Sequence, residues 1–209
     1  MEKLTELDLR RFADVLASKA PVPGGGGAAA LTGALAASLC AMVGNLTVGR
    51  KKYAAVEEDV RRLTAQAEAL ERKLVGLVDA DAEAFEPLQK AYAIPKDDPH
   101  RAEILEKVSL DACGAPMEMM RCCAEAVVLL EEMYEKGSVM LVSDAGCGAL
   151  LAGAAMRCAS MNIFINTKPL SSERALVLEK EADALMEEYL PRAEKTAAAV
   201  MGRIRKERS

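Results

Sequence analysis

One carboxylate stands where the sequence pattern calls for an apolar side chain. From Val56 to about Leu88 the inward positions of an amphipathic helix run Val60, Leu63, Ala67, Leu70, Leu74, Leu77, Asp81, Ala84 and Leu88, stepping by three and four. Asp81 is the one charge among them. A charge in such a stripe costs free energy unless it is paired or lines a wet cavity. Asp81 is therefore either half of a buried ion pair or a proton-transfer group whose pKa is raised by burial. A second carboxylate, Asp144, precedes a run of small residues, where its default role is a helix N-cap worth about 1 kcal/mol.

The segment P-V-P-G-G-G-G at Pro21 to Gly27 is the next candidate. Its plain reading is a turn into a closely packed helix. Its functional reading is that missing side chains let a ligand reach the backbone N–H groups of a helix N-terminus, which suit an anion or an oxygen with developing charge. No G-K-[ST] follows and no strand precedes it, so it is neither of the glycine-rich nucleotide fingerprints. Arg50, Lys51 and Lys52, just before Tyr53, close the far end of that helix. They complement its dipole and, in an acidic chain, offer a dock for a carboxylate-rich ligand. Ser18, Asn162, Asn166 and His100 can each give a hydrogen bond, none with a partner that makes it a nucleophile or base.

The elements that must position these groups read as helices. A chain of 209 residues, 51% hydrophobic, is long enough to bury one core, and residues 1–209 are expected to form one domain. The apolar content is Ala, Leu, Val and Met with 3% aromatic residues and no Trp, which suits close helix packing and predicts an all-α fold. A net charge of -5 argues against a general nucleic-acid binder. Cys40, Cys113, Cys122, Cys123, Cys147 and Cys158 show no paired C-x-x-C spacing, so free thiols in the cytoplasm are expected. With His100 the single histidine, no metal site is expected.

Six helices are predicted. The first has a capping-box-like start at Thr5 and Asp8, carries Leu9, Phe12 and Leu16, and ends near Ser18. The second is the uncharged run from Ala28 to about Leu46. It raises the membrane question, but Ala and Gly interleaved with Thr32, Ser38 and Asn45 give a weak transfer energy, and a buried central helix is expected instead. The third spans Val56 to about Leu88. The fourth starts at Asp98 and Pro99, kinks at Pro116 and stops at Gly137. The fifth runs from Ser143 or Asp144 to about Ile163, and the sixth from Ser171 or Ser172, bent at Pro191, to a solvated end at Arg203 to Arg208. Together they describe a helical bundle around a small-residue, buried central pair.

Taken jointly, four motifs carry a resemblance: S-K-A-P-V-P-G-G-G-G-A-A-A at Ser18 to Ala30, M-V-G-N-L-T-V-G-R-K-K-Y at Met42 to Tyr53, D-A-D-A-E-A-F at Asp79 to Phe85, and V-S-D-A-G at Val142 to Gly146. In order and spacing, over nearly the whole chain, this resembles the formiminotetrahydrofolate cyclodeaminase and methenyltetrahydrofolate cyclohydrolase family. The resemblance implies a helical protein that works as a homodimer or in larger assemblies on a tetrahydrofolate substrate, with no other cofactor. It implies a folate site lined by Ser18, Gly24, Gly25, Gly26, Gly27, Lys51, Lys52, Asp81 and Asp144, with Pro23, Arg50, Tyr53 and Asn166 expected beside them. One departure is Gly27, a position that is often serine in the family.

Within that family the expected activity is cyclodeamination. N10 of 5-formiminotetrahydrofolate attacks the formimino carbon and ammonia leaves, with Asp81 as acid and base and Asp144 orienting the pterin or balancing the cation. The alternative is hydrolysis of 5,10-methenyltetrahydrofolate to the 10-formyl compound, with Asp81 activating water. A third reading is a folate-binding or scaffold protein without turnover. In the enzymatic readings Arg50, Lys51 and Lys52 hold the polyglutamate tail.

Overall fold

A computed structural model describes residues 3–205, and among these every regular element is helical. Two helices without a polar face form the centre: α2 (Gly25–Asn45) and α6 (Val142–Thr167). Around them pack α3 (Glu57–Tyr92), α5 (Gly114–Lys136) and α7 (Glu173–Ile204), while α1 (Leu9–Leu16) and α4 (Arg101–Asp111) are short. Small residues let the central backbones approach closely. A Cβ at Gly148 would stand 3.3 Å from the carbonyl oxygen of Ala36 and 2.7 Å from Leu130 Cδ2, so no side chain fits there. Gly25 lies beside Asn162 and Ala36 beside Gly148, so α2 and α6 run antiparallel. Both are long and apolar enough to cross a membrane, yet both turn much of that surface inward onto α3, α5 and α7.

The all-α bundle with a buried small-residue pair is as expected, and several boundaries differ. The N-cap of α1 is Asp8, whose carboxylate accepts the N–H of Arg11 at 2.8 Å. Thr5 does not cap it; its hydroxyl donates to Asp79 at 2.6 Å and pins the N-terminal segment to α3. The glycines belong to α2, which starts at Gly25 rather than Ala28. The predicted fourth helix is two helices. Asp98 accepts the N–H of His100 in a turn, α4 begins at Arg101, and the chain breaks at Ala112 and Cys113. Pro116 then sits in the first turn of α5, where its missing N–H costs nothing, so it begins a helix instead of kinking one. Gly137 does end α5, and α7 begins after Ser172 and continues past Pro191 to Ile204. The predicted solvated tail continues to 206–208, outside the described residues.

Asp81 needs a correction of register. The buried stripe of α3 runs Leu70, Leu74, Val78, Ala82 and Leu88, with Leu77 only partly buried. Asp81 is one step off that line and half-buried, at the edge where α3 meets the start of α2.

Candidate active site

The start of α2 is built from backbone alone. Pro21 and Pro23 bring the chain in, the Val22–Pro23 peptide is cis, and Gly24 takes the N-cap position with no side chain to satisfy the first N–H groups. A cleft of about 180 Å³ opens there, lined by α2 through Gly24, Gly25 and Gly26, by α3 through Asp81 and Phe85, and by α6 through Asn162, Ile165 and Asn166.

The bare glycines are what allow these side chains to close in. A Cβ on Gly26 would fall directly on the Asp81 carboxylate, and one on Gly25 would lie 3.7 Å from the Asn162 amide. Gly27 lies below the cleft; its N–H donates to Asp81, and Pro23 packs against it, a Cβ at Gly27 coming to 3.1 Å from Pro23 Cβ. Burial pushes the Asp81 pKa above its ordinary value, with the Gly27 N–H pulling it back in part. Among the described residues no cation stands against Asp81. It is a carboxylate whose pKa is raised by burial, beside helix N–H donors, at the edge of a cleft. Such a group can take a proton and return it.

The remaining wall is set by hydrogen bonds. Asn162 Nδ2 donates to the carbonyl of Cys158 at 2.8 Å. Asn166 contacts the thiol of Cys113, itself pushed up to about 11 by burial and so inert as a nucleophile.

Of the residues expected to form one site, Gly24, Gly25, Gly26, Asp81 and Asn166 are brought together, with Pro23 and Gly27 supporting them. Ser18 is not part of the wall. Its hydroxyl donates to the carbonyl of Val15 at 2.7 Å and accepts the N–H of Ala20 at 3.0 Å, closing the turn after α1. Arg50, Lys51, Lys52 and Tyr53 lie past the other end of α2, whose 21 residues at about 1.5 Å each span about 30 Å. Asp144 is in the first turn of α6, and because α6 is antiparallel to α2 it lies at that same distant end. Asp81 and Asp144 therefore do not share a site within one chain.

The distant end has its own order. Arg50, Lys51 and Lys52 are exposed, and Lys52 Nζ sits 5.6 Å from the centre of the Tyr53 ring. The Tyr53 hydroxyl accepts the N–H of Val139 at 3.0 Å, which lowers its pKa, with the charges of Lys52 and Arg50 adding to the effect. Thr47 Oγ1 accepts the N–H of Ser138 at 2.8 Å. Two bonds thus lock the basic corner to the segment leading into α6. Among the described residues no three His, Cys, Asp or Glu side chains are grouped to hold a metal ion.

Phe85 and Ile165 line the cleft without having been singled out, and Asn162 joins them from among the four side chains read as able to give a hydrogen bond. The signal available in the sequence was the spacing of Asn162 and Asn166, four apart and so on one helix face.

Residues 8–186 match the family model described as formiminotransferase-cyclodeaminase. A methenyltetrahydrofolate cyclohydrolase of Methylorubrum extorquens is 41% identical over 186 residues, covering 86% of this chain and 89% of that protein. The formimidoyltransferase-cyclodeaminase of Sus scrofa is 32% identical over 97% of this chain, which spans 38% of that longer protein. A crystal structure from Thermotoga maritima, described as formiminotetrahydrofolate cyclodeaminase, superposes with a TM-score of 0.83 at 30% identity, covering 95% of this chain and all of that one.

Proposed function

Because this chain belongs to the formiminotransferase-cyclodeaminase family, we propose that it is a folate one-carbon enzyme hydrolysing 5,10-methenyltetrahydrofolate to 10-formyltetrahydrofolate at the glycine-lined cleft. The observation that carries this reading is Asp81, a half-buried carboxylate of raised pKa set against the start of α2, whose N-cap Gly24 has no side chain. Water adds to the methenyl carbon as Asp81 takes one of its protons. The C–N5 bond then breaks as Asp81 returns that proton to N5, and the hydroxyl proton leaves as the formyl carbonyl forms on N10. The α2 N-terminus faces the oxygen that gains negative character. The folate is the only organic group the reaction needs.

Cyclodeamination is the second reading, favoured by the extent of the match to the Thermotoga maritima protein. The same carboxylate then accepts the N10 proton and delivers it to departing ammonia. We put hydrolysis first because the relative of similar length at 41% identity bears that activity in its name.

We assign the working form as a homodimer, with the site completed across it. The outward face of the central pair is apolar, with Leu35 51%, Leu150 56%, Met161 68% and Ile165 62% exposed, and Ile165 also borders the cleft. A two-fold axis across this face reverses the helices and lays the partner's basic corner beside each glycine-lined cleft. Arg50, Lys51, Lys52 and Tyr53 then receive the glutamate tail, and Asp144 joins a folate site from which it is absent in a single chain. The unpaired thiols, four buried and two exposed, accord with a cytoplasmic enzyme.

The test is absorbance of the methenyl chromophore with purified protein. Enzyme-dependent loss from 5,10-methenyltetrahydrofolate is the expected result. Appearance of the chromophore together with ammonia from 5-formiminotetrahydrofolate alone would move cyclodeamination to first place. Folate binding without change in either substrate would identify a binding or scaffold protein.

A further inference from the structure

We propose that Asn162 is a catalytic hydrogen-bond acceptor that holds the attacking water against Asp81. This rests on the hydrolytic reading of the cleft. A water that loses one proton to a carboxylate must have its other O–H fixed, or it attacks from many directions and the gain from positioning is lost.

Three cleft-lining side chains carry polar atoms: Asp81, Asn162 and Asn166. Asn166 lies against the Cys113 thiol, which donates to the carbonyl of Ser109 at 3.3 Å. Asn162 is oriented by its own helix. The carbonyl of Cys158 can only accept, so the bond at 2.8 Å commits Nδ2 as its donor and leaves Oδ1, 3.7 Å from the position of a Cβ on Gly25, as a hydrogen-bond acceptor. Its placement matches Asp81. Gly25 and Gly26 are consecutive; the Asn162 amide stands over the first and the Asp81 carboxylate over the second. The space left by two missing side chains is thus flanked by one proton acceptor from α3 and one fixed carbonyl oxygen from α6. A water between them gives one proton to Asp81, directs the other at Asn162 Oδ1, and keeps a lone pair for the methenyl carbon. No bond to Asn162 forms or breaks.

A merely structural role explains the residue poorly. Its hydrogen bond goes to the carbonyl four residues earlier in its own helix, already an acceptor in the helical ladder, and asparagine is a weaker helix former than alanine.

The experiment compares wild type, Asn162→Ala and Asn162→Asp in methenyl hydrolysis over a range of pH, after subtraction of the buffer rate. Asn162→Ala is expected to keep its Tm and lose roughly 10–100-fold in kcat with little change in KM. Asn162→Asp sets a second carboxylate beside Asp81. Like charges raise the pKa of the pair, so the acidic limb of its pH–rate profile moves upward by roughly one unit. An Asn162→Ala protein with wild-type kcat, or an unmoved limb in Asn162→Asp, overturns the role of Asn162 while leaving the hydrolytic reading in place. A wild-type protein that does not speed hydrolysis overturns both.

Discussion

The two ends of α2 are made from opposite materials. Its start is three glycines without a charge, where a half-buried carboxylate and an amide close onto bare backbone. Past its end come three exposed cations on a short turn, held by the bond between Tyr53 and Val139. The first end acts through contact and desolvation, which work over a few ångströms and barely respond to salt. The second acts through charge in water, which reaches farther and is screened. Under the proposed function a folate has both needs, a small reacting centre and an anionic tail, and the two ends of this helix lie about 30 Å apart. In the proposed homodimer a partner laid antiparallel brings them together.

The sharpest way to break the contrast is Asp81→Asn, which keeps shape and removes proton transfer. Turnover should fall by roughly 10²–10⁴-fold. Stability should move the other way. The folded pKa of Asp81 lies above its unfolded value, so the charged form is disfavoured in the folded protein, and the cost grows as pH rises through that window. Asp81→Asn is therefore expected to raise Tm at neutral pH, with the difference vanishing below the unfolded aspartate pKa. Thermal melts at two pH values check it.

Gly26→Ala tests whether bareness matters. The new Cβ displaces the Asp81 carboxylate, and a loss of roughly 10–100-fold in turnover is expected with about 1–3 kcal/mol of destabilisation. Unchanged kinetics in that variant would show that contact at this end is not what shapes the chemistry.

At the other end, Lys51→Ala with Lys52→Ala should lower kcat/KM for a polyglutamylated substrate by about tenfold at low salt and by little at high salt, leaving kcat unchanged. A salt-independent loss would mean these lysines act by contact after all. Tyr53→Phe is the mildest change. It removes the hydroxyl that accepts the Val139 N–H and should cost about 1 kcal/mol of stability, read by denaturant unfolding.

The sequence carried the bundle because α2 and α6 advertise burial through composition, and it carried Asp81 as an anomaly in a periodic stripe. It placed that anomaly one step too deep because a stripe of threes and fours drifts over a 36-residue helix, and the step from Leu74 to Val78 was read as one from Leu74 to Leu77. The break before α5 was hidden because a first-turn proline and a kinking proline look alike until the preceding hydrogen bonds are known. The separation of the two ends was already legible in the length of the uncharged run. Asn162 could not be ranked above the other polar residues, since its value depends on α3 and α6 meeting over consecutive glycines, a contact between segments far apart in sequence.

Joining the two ends across a two-fold is tested most directly with heterodimers. Asp81→Asn and Lys51→Ala/Lys52→Ala chains, carrying different affinity tags, are co-expressed and purified as mixed dimers. One composite site then holds both defects and the other holds neither, so about half of the wild-type activity on polyglutamylated substrate at low salt is expected. Activity no higher than half that of the Lys51→Ala/Lys52→Ala homodimer would contradict a site shared between subunits.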